Sequence, residues 1–167
     1  MKILSTAAKW LFILCLPVLL LSISVGWVVN SLWLYKHSFD KYDVSQTTGL
    51  AQPELEKVAT GLISYFNSNE KYVSLTVVKD GEPFELFNEK EVAHLRDVKG
   101  LIQLDYYLLL GTLIYTLGYA GVSLFWHKRR HWHKLAWGLA GGGGLTLALM
   151  LALGLGTLLG FDQLFLR

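Results

Sequence analysis

The stretch FNEKEVAHLRDVKG (Phe87–Gly100) runs straight into LIQLDYYLLLGTLIYTLGYAGVSLFW (Leu101–Trp126), and the step from charged to apolar decides the fold. Asn88 is a favoured N-cap, and Glu91 three residues on completes a capping-box pattern, so a helix is expected to start here. Gly100 suits the end of that short helix. Leu101–Trp126 is long and apolar enough to cross a bilayer. Within the charged segment, His94 has Glu91 at i−3 and Asp97 at i+3. Those spacings put both carboxylates within reach of the imidazole. A carboxylate can fix the tautomer of a histidine and raise its basicity, as a general base requires. The same pattern also describes a solvated amphipathic helix with an incidental histidine.

Outward from this stretch, the charge is unevenly spread. Hydrophobic residues make up 53% of the 167-residue chain, and most charged positions fall between Lys36 and Asp105. Apolar sequence lies on both sides, the pattern of a membrane protein carrying one polar insert. A formal net charge of +2 gives no electrostatic footprint for nucleic acid, so nucleic-acid binding is discounted. Cys15 is the single cysteine, which excludes an internal disulfide, and it lies inside an apolar run.

Residues 1–34 read as a short tail with Lys2 and Lys9, followed by a first span over Trp10–Leu34. The run is too long for a signal peptide and no small-residue cleavage site follows it, so an uncleaved anchor is expected. Pro17 is placed to kink it, and Trp27 and Trp33 suit an outer interface.

Residues 35–100 form the insert. Leu55, Val58, Ala59, Leu62, Ile63 and Phe66 recur at helical spacing, predicting an amphipathic helix over Pro53–Asn67. Tyr72–Lys79 reads as a strand, Asp80-Gly81 as a hairpin turn and Phe84–Phe87 as a short partner strand, demoted to an edge by Pro83.

Residues 101–126 are the second span. Asp105 lies near its entrance, where an ionisable residue is either a functional group or a hydrated interfacial one. Gly111, Gly118 and Gly121 permit close helix packing. Residues 127–134 (HKRRHWHK) form a basic loop. His127, His131 and His133 have no acidic or cysteine partner nearby, and the intervening Lys and Arg repel a cation. No metal or cofactor is therefore expected. A short loop this basic belongs in the cytoplasm, against phospholipid headgroups. Residues 135–160 hold the third span, whose Gly141–Gly144 run is tolerable where another helix packs tightly. Residues 161–167 open an outer segment. Tail and basic loop inside place the insert outside.

The fold class expected is an α-helical membrane protein, with three transmembrane helices and a small extracytoplasmic α+β insert between the first two. The layout, the LISYF ending of the first insert helix (Leu62–Phe66) and the E-x-x-H-x-x-D-V-K motif (Glu91, His94, Asp97, Val98, Lys99) resemble a family of small bacterial integral membrane proteins that includes the lipoprotein intramolecular transacylases. The resemblance implies four spans, location in the bacterial cell membrane and an outward-facing active site. It also implies transfer of the sn-2 acyl chain of a diacylglyceryl-cysteine to that cysteine's own α-amino group, so bacterial lipoproteins are the implied substrate. The family catalytic histidine of the motif maps to His94; from the residues themselves, Glu91, Asp97 and Asp105 are its candidate orienters. A second family histidine, in an F-H pair before the fourth span, would fall shortly after FDQLFL. The sequence stops at Arg167, which reads as a fragment or a truncated, inactive member. Alternatives are a non-enzymatic membrane-anchored interaction or sensor protein, and a lipid hydrolase using His94 and water.

Overall fold

A computed structural model describes residues 2–125 and 132–165, with side chains over 6–124 and 135–156. In chain order the elements are α1 (Lys2–Asn30), α2 (Leu32–Lys41), α3 (Val44–Thr48), α4 (Gln52–Asn67), β1 (Thr76–Lys79), β2 (Glu82–Glu85), α5 (Glu89–Phe125) and α6 (Trp132–Phe165). Among the described residues, three helices are long and apolar enough to cross a membrane, with qualifying stretches at Thr6–Asn30, Glu89–Leu124 and Leu135–Gly156. The basic loop falls largely outside the described residues, as do the side chains of the outer segment. The mostly helical architecture, with three candidate membrane-spanning helices and one two-stranded sheet among the described residues, agrees with the expected class in those respects.

The chain divides into two compact units, residues 1–23 with 107–167 and residues 24–106. In the first, Phe12 is buried and stacks on Tyr119 with ring centroids 4.6 Å apart. A Cβ on Gly138 would stand 3.0 Å from the Phe12 ring. A Cβ on Gly142 would collide with the side chain of Leu16. Within the glycine run, Gly142 thus lets α6 approach the Phe12–Leu16 stretch of α1. Only part of the run is used, since Gly143 and Gly144 face open space. Gly111, Gly118 and Gly121 likewise have nothing within 4 Å, so the close packing expected there is not made among the described residues. Tyr115 Oη donates to the Ala8 carbonyl at 2.9 Å. Ile114, Leu117, Leu147 and Leu151 are exposed, an apolar surface suited to lipid.

In the second unit, α4 forms as its periodicity requires, with Leu55, Val58, Ala59, Tyr65 and Phe66 buried and Pro53 in the first turn. β1 and β2 pair antiparallel from Thr76↔Glu85 to Lys79↔Glu82. Asp80 and Gly81 both take positive φ, 54° and 85°, the twist a two-residue hairpin loop demands. The tight loop shifts β2 earlier than the expected Phe84–Phe87, and β1 starts at Thr76 rather than Tyr72. Pro83 sits inside β2 opposite Val78, as an edge strand allows. Val77 points into a cluster with Leu50, Leu55 and Val58, while Tyr65, Phe66, Val73 and Ile102 form a second cluster.

Two expectations change. Residues 35–51 are not a plain lead-in but carry α2 and α3, ended by Gly49 at φ 72°. Gly100 does not end a short helix: α5 continues through it. A glycine costs a helix interior only about 1 kcal/mol relative to alanine, and the apolar residues that follow extend the helix.

Candidate functional site

The start of α5 is fixed by reciprocal capping. Asn88 Oδ1 accepts from the backbone N–H groups of Lys90 and Glu91, at 3.0 and 3.1 Å. Glu91 Oε2 accepts the Asn88 N–H at 2.8 Å. The capping box read from the sequence is therefore formed, and it fixes the first turn of α5, one turn before His94.

His94 is exposed. It lines a shallow, open surface groove of about 350 Å³ together with Phe87, Lys90, Glu91 and Leu95. Phe87 and Leu95 back onto the Tyr65–Phe66–Val73–Ile102 cluster, so the apolar wall beside the imidazole is anchored in the core. An imidazole next to an apolar wall can receive a ligand that joins a polar group to an apolar chain.

The four acid and base residues singled out in the sequence are not all gathered. Glu91 shares the His94 groove, although its Oε2 serves the helix cap. Asp97 Oδ1 accepts from Arg96 Nη2 at 3.1 Å and Nε at 3.3 Å, without a bond to His94. Asp105 follows His94 by eleven residues on the same helix. That separation is about 16 Å of rise and close to three whole turns, so the two share a face at different heights. Asp105 Oδ2 is buried and has no hydrogen-bond partner among the described residues.

Lys99 carries more of the structure than its place at the end of the motif suggests. It is 5% exposed, and its Nζ donates to the Glu70 carbonyl at 2.6 Å and to Ser68 Oγ at 3.1 Å. The same nitrogen lies 4.2 Å from the Tyr65 ring centroid, a cation–π contact. It clamps the turn after α4 onto α5. Sequence reading missed it because its partners lie 29 and 31 residues away.

A second polar group ties α1, α4 and α5 within this unit. Asn67 Nδ2 donates to Asn30 Oδ1 at 2.7 Å, and Asn30 Nδ2 donates to Tyr106 Oη at 2.8 Å. Tyr106 Oη donates to Asn67 Oδ1 at 3.3 Å, closing a ring. Gly26 permits this approach, with Tyr106 Cε1 3.6 Å from where a Cβ would sit. The Tyr35 hydroxyl is pushed above its ordinary pKa, first by burial and then by the neighbouring Tyr106.

Among the described residues no three His, Cys, Asp or Glu side chains stand together as metal ligands. In comparison with known proteins, the family model described as lipoprotein intramolecular transacylase Lit matches residues 10–167. No curated protein and no solved structure matches.

Proposed function

Since the chain belongs to the lipoprotein intramolecular transacylase family, we propose that it moves the sn-2 acyl chain of a diacylglyceryl-cysteine to the α-amino group of that cysteine, with His94 as general base. The observation that carries this reading is the exposed His94 beside the Phe87–Leu95 wall, on the helix that leads into an apolar span. The basic tail and basic loop inside the cell, with residues 35–100 outside, would present this groove to the outer leaflet, where lipoprotein diacylglyceryl groups lie.

The chemistry follows from the groups present. The cysteine α-amino nitrogen attacks the sn-2 ester carbonyl, and a C–N bond forms. His94 takes the proton lost by nitrogen. The tetrahedral intermediate collapses, the carbonyl carbon releases the glycerol oxygen, and His94 returns the proton to it. The products are an N-acylated cysteine and a free sn-2 hydroxyl. Donor and acceptor share one residue, so proximity supplies much of the acceleration. Lys90, in the same groove, is the cation available to the developing oxyanion. Glu91, on the preceding turn and in the same groove, supplies negative charge beside His94 while its Oε2 serves the cap. Asp97 contributes negative charge near it, and Asp105 marks the deep end of the same helix face.

The test is mass spectrometry of lipoprotein N-terminal peptides from bacterial membranes carrying the full chain or its His94→Ala variant. The N-acyl, lyso product should disappear with the variant. An undiminished product would overturn the assignment.

A further inference from the structure

We propose that the outer edge of β2 holds the polypeptide that follows the lipid-bearing cysteine of the substrate, as a third strand antiparallel to β2. The proposal deepens the acyl-transfer reading and rests on it. Leu86 N–H donates to the Leu75 carbonyl at 2.8 Å, in line with the β1–β2 register. Hydrogen-bonded pairs in an antiparallel ladder recur at every second residue, so Val77↔Phe84 and Lys79↔Glu82 exchange bonds across the hairpin. Thr76, Val78, Pro83 and Glu85 therefore turn their backbone polar groups away from it. On β1 that edge is covered, since the Val78 N–H donates to Glu54 Oε2 of α4 at 2.9 Å. On β2 it is open. Among the described residues no hydrogen bond reaches the Glu85 N–H, the Glu85 carbonyl or the Pro83 carbonyl. All of Glu82–Glu85 is exposed. An open edge of this kind is a template for an extended chain.

Position, direction and reach select the occupant. After Glu85 the chain bends at Leu86, and Phe87 becomes part of the wall of the His94 groove. Two residues span at most about 7 Å, so a strand seated at Glu85 leads into that groove. The proposed reaction uses a free α-amino group, so the cysteine is first in its chain and the polypeptide leaves it one way only. With the cysteine at the Phe87 end, that polypeptide runs toward Glu82, opposite to β2, which is the antiparallel sense. Pro83 has no N–H, so the added ladder stops after the Glu85 pair and one bond to the Pro83 carbonyl. The edge thus holds only the first few residues of the substrate, by backbone and without regard to their side chains. A second copy of this hairpin is the wrong partner, because edge-to-edge pairing sets the Glu82 and Glu85 carboxylates of each copy against those of the other.

The experiment is native mass spectrometry of the full chain in detergent, titrated with a synthetic diacylglyceryl-cysteine hexapeptide or with diacylglyceryl-cysteine amide, which has no following residue. Wild-type protein should retain the hexapeptide about tenfold better than the amide. Glu85→Pro removes the outward N–H and no bond of the hairpin, so it should abolish that advantage while circular dichroism and thermal midpoint stay near wild type. Hexapeptides methylated at single backbone nitrogens should lose retention at alternate positions only, the signature of a strand. No advantage of hexapeptide over amide in wild type would overturn the proposal, as would an undiminished advantage in folded Glu85→Pro. Should that variant fail to fold, the methylated series on wild type decides, and a response that does not alternate overturns the strand. Conversion to the N-acyl product is read separately in the same samples. Its absence would count against the transacylase reading, whereas retention is measured without it, so the two failures are distinguishable.

Discussion

The Lys99 ammonium stands 4.2 Å from the centroid of the Tyr65 ring, and both residues are buried. The burial is offset by the Glu70 carbonyl and the Ser68 hydroxyl, which accept from the same nitrogen. The turn after α4 is thereby held against the helix that carries His94.

Lys99→Met should therefore remove both hydrogen bonds and the ring contact that hold this turn. A hydrogen bond to a charged group contributes about 1.5–3 kcal/mol. The expected outcome is a thermal midpoint lower by about 5 °C or more, read by circular dichroism in detergent. A midpoint within a degree of wild type would show that the clamp contributes nothing.

Glu91 has two separable duties, the helix cap and the neighbourhood of His94. Glu91→Gln retains an oxygen for the Asn88 N–H and removes the charge. Its stability should match wild type, while acyl transfer falls about tenfold and its pH profile shifts. Glu91→Ala should in addition cost about 1 kcal/mol through the lost cap. Full activity in Glu91→Gln would confine the residue to capping.

Glycines on α4 and α6 make a graded test of packing. A Cβ at Gly61 would collide with the Leu75 methyls and one at Gly142 with Leu16, whereas Gly143 faces open space. Gly61→Val and Gly142→Val should each destabilise by about 1–3 kcal/mol. Gly143→Ala should be neutral or stabilising by up to about 1 kcal/mol, since alanine is the better helix former. Equal effects at Gly142 and Gly143, measured by thermal unfolding, would contradict the α1–α6 contact.

The Tyr72 phenol is held below its ordinary pKa, first by the hydrogen bond from Lys71 and then by the Lys71 charge and Arg96. A depressed folded-state value means that the phenolate contributes stability above the ordinary phenol pKa. That contribution is lost as pH falls through the lowered value, so it is absent at neutral pH. An ultraviolet titration should show one phenol ionising early, abolished by Tyr72→Phe and moved upward by Lys71→Ala. An unmoved curve in Lys71→Ala would remove Lys71 as the cause.

What the sequence made legible was local. The Asn88–Glu91 box closes within four residues, the α4 face follows its own period, and Asp80-Gly81 turns as that pair does elsewhere. What it concealed was decided at a distance or by competition. Lys99 finds its partners across the α4 turn, and nothing in VKG announces burial. Gly100 looks like a stop, but the apolar run behind it sustains the helix. Glu91 and Asp97 have the spacing to reach His94, yet the Asn88 amide and the Arg96 guanidinium hold them in the structure. The His94 groove depended on Phe87 and Leu95 packing against residues from α4 and the strand-side chain, a relation that no window of sequence contains.

The buried state of Lys99 also bears on self-modification. Its primary amine lies five residues from His94 along α5, about 7 Å of helical rise. Under the proposed acyl transfer, this lysine is an acceptor of the same chemical kind as the amine of the substrate. Its nitrogen is enclosed by Tyr65, Ser68 and Glu70, so the proposal expects Lys99 to stay unacylated.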